Sequence, residues 1–335
     1  MSELRATWHS LDNASARAAY AALLGASPQR TPFHTLVHAD AACAAFGLTG
    51  ELLSVGIPGE DPRVAGVVFW KQRGPFRLAV VPPLTPYGGP VCATSLSDTL
   101  SGSNPLGTPE GALTCWIEAL GDRADFVELH LPPAFADTRP FAWAGWDVTP
   151  RHTYAGASDW GGTVPPYVRK MVRENRATRT DGSPRPNGLV LQRDDSATAL
   201  VADFVTRPFR RQGREFGFAE DPLEQLVRAH VASGLGRILV AAKRDGTPVG
   251  AVATTVDDLA GYFWAGSADP GAGMLMLMAA TADALADDGI PTIDLVGGNL
   301  QTVSSFKRRL GFPLVASARV EVAPSRALRL LRALR

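Results

Sequence analysis

An internal duplication constrains the fold of this 335-residue chain more than any other feature of its sequence. Segment 63–83 contains two apolar runs around a polar turn, and segment 237–256 repeats that pattern at an offset of 237 − 63 = 174 residues. Further along, Glu128 in FVELHL matches Asp294 in TIDLVG at an offset of 166. Because the matches keep their order along the chain, the sequence predicts two copies of one domain.

Each copy has the same predicted order of elements. A helical part is followed by a hairpin, a further strand, a helix, a strand, a short helix, a Gly-aromatic pair and a last strand. Helical periodicity predicts helices at 109–120, 222–233 and 274–288, and Asp245-Gly246 is a strong hairpin-turn signal. The predicted class is therefore α/β (α+β), with a mixed, mostly antiparallel sheet flanked by helices in each copy.

Glycine and proline punctuate the chain where the copies would join. The stretch 156–166, GASDWGGTVPP, is rich in both residues and is the best linker candidate. We therefore expect an N-terminal domain at 1–155 and a C-terminal domain with the active site at 156–317. The tail at 318–335 places an arginine at every third position with leucines between, and we expect it to dock on the first domain.

Composition excludes several classes of protein. The 33 basic and 33 acidic residues balance, which argues against coating nucleic acid through bulk charge. Three scattered cysteines are too few for a disulfide framework or a zinc site. No apolar stretch is long enough to span a bilayer, so we expect a cytoplasmic protein. His34 and His38 have the spacing of a metal pair but lack a third ligand, so no metal is predicted.

Several segments together resemble the FemABX-like branch of the GNAT acyltransferase superfamily. They are TPF at 31–33, the basic stretch 168–179, YFWAGSADP at 262–270, DLVGGN at 294–299 and FKRRLGF at 306–312. The resemblance implies tandem GNAT-like domains that transfer an aminoacyl or acyl group to an amine. It also implies no tightly bound cofactor, with either an aminoacyl-tRNA or an acyl-CoA as donor.

Three residues are candidates for the chemistry of transfer. Lys307, one of only four lysines, lies where the resemblance implies a cation beside the oxyanion of a tetrahedral intermediate. Asp294 ends a predicted strand, and it is either a general base or a turn residue that accepts nearby N–H groups. Asn299 either caps the next helix or hydrogen-bonds the acyl carbonyl.

Aromatic residues and glycines suggest how substrates are held. Tyr262 and Trp264 share one face of a predicted strand, where they form either a substrate floor or part of the core. Phe306, which precedes Lys307, is a further candidate for substrate binding. Gly271 and Gly273 precede a helix and are candidates for the phosphates of an acyl-CoA, although a tight turn is the simpler explanation for them.

A basic segment qualifies the neutral overall charge. Residues 167–214 contain eleven basic and five acidic side chains, a local charge of +6. Arg173 and Arg176 fall on one face of a predicted helix, and Arg211 lies further along; all three are candidates for holding a phosphate-bearing substrate such as tRNA. The simpler alternative is a solvated helix surface.

The sequence leaves three functions open. The first is an amide-forming N-acyltransferase, with an amine acceptor and with tRNA as a partner if the donor is aminoacyl-tRNA. The second is an acyl-CoA-dependent N-acetyltransferase of a small molecule. The third is a non-catalytic tandem GNAT fold that binds RNA or a protein. The acceptor and the oligomeric state do not follow from the sequence.

Overall fold

The structure is a computed structural model that describes residues 4–93, 109–159, 164–179, 182–185 and 187–333. It divides into two units. Unit 1 comprises Met1–Arg151 with Ala316–Arg335, and unit 2 comprises His152–Val315. Within the described ranges, every helix is too short or too polar to cross a membrane.

From the predicted hairpin onward, the elements of each half follow the predicted order. The strands at Arg5–Ser10, Thr49–Gly56 and Val190–Arg193 precede the hairpins and were not predicted. The helices are α1 (Ala14–Ala26), α2 (Leu36–Phe46), α3 (Pro109–Gly121), α4 (Arg139–Trp143), α5 (Pro166–Asn175), α6 (Thr198–Arg211), α7 (Glu220–Ala232), α8 (Gly273–Asp287), α9 (Gln301–Arg308) and α10 (Arg326–Ala333). The strands are β1 (Arg5–Ser10), β2 (Thr49–Gly56), β3 (Val64–Arg73), β4 (Phe76–Ala79), β5 (Val91–Cys92), β6 (Phe126–Leu131), β7 (Asp147–Ala157), β8 (Val190–Arg193), β9 (Gly236–Ala242), β10 (Pro248–Val256), β11 (Ala260–Ala268), β12 (Thr292–Asp294) and β13 (Leu314–Val322). The three helices predicted from periodicity correspond to α3, α7 and α8 within two residues at each end.

Unit 1 is a mixed sheet covered by α3. Strands β1 to β4 pair antiparallel in sequence order, β4 then pairs parallel with β6, and β6 pairs antiparallel with β13. The Trp116 side chain of α3 is fully buried, and its indole N–H donates to the carbonyl oxygen of Leu53 at 3.1 Å. A large aromatic ring with a satisfied polar atom thus anchors the helix on the sheet.

Unit 2 repeats this arrangement. Strands β8 to β11 pair antiparallel in sequence order, β11 pairs parallel with β12, and β12 pairs antiparallel with the end of β7. The predicted turn between β9 and β10 is present, with Gly246 at φ +85°. Helix α8 packs on the sheet through a cluster that includes Leu277, Phe263 and Ile293.

The duplication extends to the backbone of the last turn in each unit. Gly145 follows α4 and Gly311 follows α9, 166 residues later, and both have left-handed φ angles, +79° and +87°. Each is followed by a buried aromatic residue, Trp146 or Phe312. Only glycine adopts such angles without steric cost, so the repeated motif is a folding requirement. The predicted tandem α/β class is confirmed.

The basic stretch 168–179 is predicted to be helical throughout, but the helix observed there ends earlier. Helix α5 ends at Asn175, and Arg176 caps it in an extended conformation. The N–H of Ala177 then donates to Leu189, and the N–H of Leu189 donates to Asn175, so a distant strand segment captures the chain. These tertiary hydrogen bonds override the helical propensity of the arginine-rich sequence.

Candidate functional site

Two parallel strands separate in unit 2. Strands β11 and β12 pair from Ala260 opposite Thr292 to Tyr262 opposite Asp294. There β12 ends, whereas β11 continues to Ala268. The two strands therefore part at their carboxyl ends, which is where ligands bind in open α/β sheets.

A β-bulge lies in the part of β11 that extends beyond its pairing with β12. The register with β10 runs from Ala253 opposite Ala265 directly to Thr254 opposite Phe263, which leaves Trp264 as the extra residue. Phe263 and Ala268 are an odd number of residues apart, yet both pack in the α8 cluster. A regular strand would place them on opposite faces, so the bulge re-aims this end of β11.

The aromatic residues of β11 are core residues and do not form an open substrate floor. Trp264 packs on the His230 ring of α7 with centroids 4.4 Å apart, and it is 8% exposed. Tyr262 is equally buried. Helices α6 and α7 cover the sheet there, so of the two alternatives for Tyr262 and Trp264 the structure favours the core.

The loop after β12 is strained and closes around a cation. Val296 has φ +47°, which is costly for a β-branched residue, and Gly297 has φ +74°. This backbone turns the carbonyl oxygens of Leu295, Val296 and Gly297 toward the Lys307 ammonium, which donates to all three, with the Gly297 oxygen at 2.9 Å. We call these three oxygens the carbonyl cage.

Lys307 is held as a buried ammonium. Its side chain comes from α9 and is 7% exposed. Burial lowers the pKa of this ammonium from 10.5 to about 8, and attraction to Asp294 opposes the fall. Because an ammonium has three N–H donors and the cage uses three, the expected direct contact with an oxyanion is not the arrangement found. Lys307 instead fixes the loop.

Asp294 and Asn299 hold the same loop. The buried Asp294 accepts hydrogen bonds at Oδ1 from the Thr153 hydroxyl at 2.5 Å and from the Val296 N–H at 2.7 Å. Asn299 accepts at Oδ1 from the His152 N–H at 2.9 Å, which ties the loop to β7. Residue Leu300 caps α9 without a side-chain bond, so the expected capping role of Asn299 is wrong.

A hydroxyl pair beside the loop was not predicted. The Tyr154 hydroxyl lies 2.9 Å from Ser304 Oγ, and the tyrosine is buried. A Cβ added to Gly298 would lie 3.4 Å from the Tyr154 ring, so the ring borders the loop closely. A tyrosine within the last strand of the repeat was the only available signal, and strand tyrosines are too common to identify a site. Phe306 is half-buried and packs against the α8 cluster.

The start of α8 is open to an anion. Gly271 has φ +133° with no atom within 4 Å of an added Cβ, and Gly273 approaches β11 so closely that a Cβ would lie 3.1 Å from that of Ala268. The N-cap, Ala272, provides no side-chain acceptor. The first N–H groups of the helix therefore have no side-chain cap, a property shared by anion sites at helix N-termini.

The candidate arginines occupy two different places. The Arg211 guanidinium pairs with Asp269 at 2.8 Å, in the turn that leads to α8. In contrast, Arg173 and Arg176 line a cavity beside the C-terminal half of α8, together with Asp283. The structure thus brings the side chains of Lys307, Asp294 and Asn299 to the loop between β12 and α9. Arg173 and Arg176 lie elsewhere, beside the C-terminal half of α8.

His34 and His38, which have the spacing of a metal-binding pair, lie in unit 1, and both side chains are hydrogen bonded to threonine hydroxyls. His34 Nδ1 is hydrogen bonded to Thr31 Oγ1 at 2.9 Å, and His38 Nε2 to Thr85 Oγ1 at 2.8 Å. Burial lowers the pKa of His34 to about 4, so its imidazole is neutral. Among the residues that the structure describes, no group of three or more metal-ligating side chains occurs.

Comparison with known proteins identifies the fold. A family model described as an acetyltransferase (GNAT) domain matches residues 167–308. The crystal structure of FemX superposes with a TM-score of 0.65 at 11% identity, covering 90% of this chain and 95% of FemX. Residues 167–308 thus form a GNAT domain, and the chain as a whole has the fold of FemX.

Two further solved structures share this fold. A tandem GNAT protein from the clavulanic acid biosynthesis pathway has a TM-score of 0.55 at 10% identity, covering 96% of this chain and 99% of that protein. L-PGS from Bacillus licheniformis has a TM-score of 0.57 at 12% identity, covering 97% and 96%. A search of curated proteins gave no match. At these identities the likeness establishes the fold.

Proposed function

We propose that this chain is an amide-forming N-acyltransferase that works at the separated ends of β11 and β12. The observation that carries this proposal is the parting of these strands beyond Tyr262 and Asp294, beside a loop fixed by a buried ammonium. The GNAT fold, whose family model describes an acetyltransferase domain, supports transfer of an acyl group.

The reaction proceeds by direct attack. The acceptor nitrogen forms a bond to the acyl carbon, the bond from that carbon to the oxygen or sulfur of the donor breaks, and the amine proton leaves with the departing group or through solvent. Cysteine is absent from residues 152–315, and burial raises the pKa of the Cys92 thiol in unit 1 to about 12. We therefore assign no thioester intermediate on the enzyme.

Backbone groups stabilise the developing oxyanion. Among the described strands, none pairs with this side of β11 beyond Tyr262, and we place the oxyanion-binding N–H groups on this edge. The bulge at Trp264 distorts that edge locally. Preorganised N–H donors cost no reorganisation during the reaction, and each contributes several kcal/mol at most. Lys307, Asp294 and Asn299 are positioning residues that hold the facing loop.

The donor is an acyl-CoA or an aminoacyl-tRNA, and the open start of α8 serves either. The N–H groups at Gly271 to Gly273 would donate hydrogen bonds to a phosphate group of the acyl donor. Arg211 lies nearby, because it pairs with Asp269 in the turn before α8. The acceptor is an amine. The non-catalytic alternative is favoured by one observation, namely that the cage already uses all three Lys307 donors.

The decisive experiment offers both donors to the purified chain. Amide formation from an acetyl-CoA pool and from a mixed aminoacyl-tRNA pool is followed by mass spectrometry, with polyamines, amino acids and peptides as acceptors. Lys307→Met is expected to reduce transfer strongly. Lys243→Met, at an exposed lysine of the β9–β10 turn, is the matched control and retains it. Binding of tRNA without transfer from either pool would refute the enzymatic proposal in favour of the non-catalytic one.

A further inference from the structure

A groove of about 940 Å³ runs between α5, the segment after it and the C-terminal half of α8. One wall carries four arginines and the rest of the lining carries three carboxylates. The arginines are Arg169, Arg173, Arg176 and Arg179, and the carboxylates are those of Asp159, Asp283 and Asp287. We call this feature the arginine groove.

Small and apolar side chains form the rest of the arginine groove. They are contributed by α8, by α5 and by the start of β8, and include Ala279, Ala280, Ala284, Val172, Leu189 and Leu191. Alanines on a helix face leave room that longer residues would fill. The volume lies within the range of pockets that hold small organic molecules.

Three of these guanidinium groups are incompletely neutralised. Arg176 pairs with Asp283 at 3.2 Å, and both side chains are 56% exposed. Within the described ranges, Arg173 makes no ion pair, and the Arg179 guanidinium donates to the Ser183 hydroxyl at 3.4 Å. The exposed Arg173 side chain thus lines the groove with its charge open to a ligand.

We propose that the arginine groove binds an organic phosphate, with the phosphoryl group on Arg173 and Arg176 and the organic part on the alanine surface. Guanidinium forks match phosphate oxygens bidentately, and they are less strongly hydrated than ammonium groups. The groove's net charge is only +1, because three carboxylates oppose four arginines. A tract of nucleic acid would place several phosphates beside these carboxylates, whereas a single phosphate ester has to displace only Asp283 from Arg176.

This site is separate from the proposed transfer site. Asp283 follows Gly273 by ten residues of one helix, which places them about 15 Å apart at 1.5 Å per residue. A phosphate on Arg176, the partner of Asp283, is therefore not the phosphate that the start of α8 would hold. The ligand of the groove is a second molecule or a distant part of a long substrate.

Binding to the full chain tests this proposal without any acyl donor present. Isothermal titration uses three phosphate monoesters, AMP, naphthyl phosphate and hexyl phosphate, with adenosine and inorganic phosphate as probes that each lack one half. At least one ester is expected to bind more tightly than both half-probes. Arg173→Gln should weaken that ester about tenfold, because it removes charged hydrogen bonds. Lys170→Gln, a neighbour on α5 outside the groove lining, is the matched control and should change affinity less than twofold.

Removing a carboxylate charge from the groove should change the affinity for the ester in the opposite direction. Asp283→Asn removes the charge that competes for Arg176, so it should tighten the ester severalfold. The proposal is overturned if no ester binds, if inorganic phosphate or adenosine binds as well as the esters, or if Arg173→Gln and Lys170→Gln act alike. Preference for a short RNA over every ester overturns it in favour of nucleic acid. Because no transfer is measured, failure here leaves the proposed acyltransferase function standing.

Discussion

Replacing Lys307 by methionine removes the ammonium from the carbonyl cage and keeps an unbranched side chain in its place. The buried carbonyl of Leu295 and the half-buried carbonyls of Val296 and Gly297 then lose their donor. Water replaces it poorly, because the lysine side chain is only 7% exposed. We therefore expect the loop to open far more often in the variant.

The structure gives the size of the effect. A hydrogen bond from a charged donor stabilises by about 2 kcal/mol, so three such bonds contribute about 6 kcal/mol. That sum is an upper bound, because burial of the ammonium is unfavourable, as its lowered pKa shows. Leaving buried hydrogen-bond acceptors without their donor costs about 1–3 kcal/mol, so we expect Lys307→Met to lower the free energy that holds the loop closed by about 3 kcal/mol.

Hydrogen exchange of individual amides measures that free energy directly. The N–H of Val296 is bound to Asp294 and the N–H of Gly298 to the His152 carbonyl, so both report opening of the loop. In Lys307→Met they should exchange about 100-fold faster, as a loss of about 3 kcal/mol requires.

The amide of Thr247, in the turn after Lys243, should not change in Lys307→Met, and neither loop amide should change in Lys243→Met. Rates within threefold of the wild type at both loop amides would refute the cage as the cause of loop order. Restoration of slow exchange in Lys307→Ala by ammonium ions, with tetramethylammonium as the inactive comparison, would support it further.

Three further predictions concern buried polar groups. The lowered pKa of Lys307 means that the unfolded chain binds the proton more tightly between about pH 8 and 10.5; the free energy of unfolding should therefore rise with pH across that window, and Lys307→Met should lack this rise in urea titrations. Burial lowers the pKa of His230 from 6.5 to about 4, so stability should fall as pH drops from 6.5 toward 4, by up to about 3 kcal/mol, and His230→Phe should remove that part of the slope. Tyr154→Phe removes the hydroxyl bound to Ser304 and should cost about 1 kcal/mol in urea denaturation; a cost under 0.3 kcal/mol, by the scale of typical hydrogen bonds, would show that water replaces it.

Local chemistry explains which parts of the fold followed from the sequence. The Asp245-Gly246 turn depends on a glycine at φ +85°, and α8 depends on the helical spacing of its apolar residues. Both features are determined by residues close together in the sequence, so both could be predicted. The order of strands followed because the second copy repeats the first. The end of α5 did not follow, because Leu189 captures Asn175 and Ala177 from outside the helix.

The site was harder to predict because its contacts join distant segments. Lys307 was singled out for its rarity, but its partners are carbonyl groups, which no side-chain pattern reveals. Arg211 is neutralised by Asp269, 58 residues away. Trp264 is covered by helices whose placement depends on tertiary packing. The sequence therefore identified residues that lie around the loop after β12, whereas their contacts depend on tertiary structure.

Because the fold is duplicated, each position of unit 2 can be compared with the corresponding position of unit 1. At the repeat offset of 166, the residue of unit 1 that corresponds to Lys307 is Phe141, which is fully buried between Phe135 and Trp146. One copy of the fold thus closes this corner with aromatic contacts alone, so the architecture does not require a cation there. Of the two corresponding corners, only that of unit 2 holds a buried cation, and it is also the corner with a strained loop at Val296.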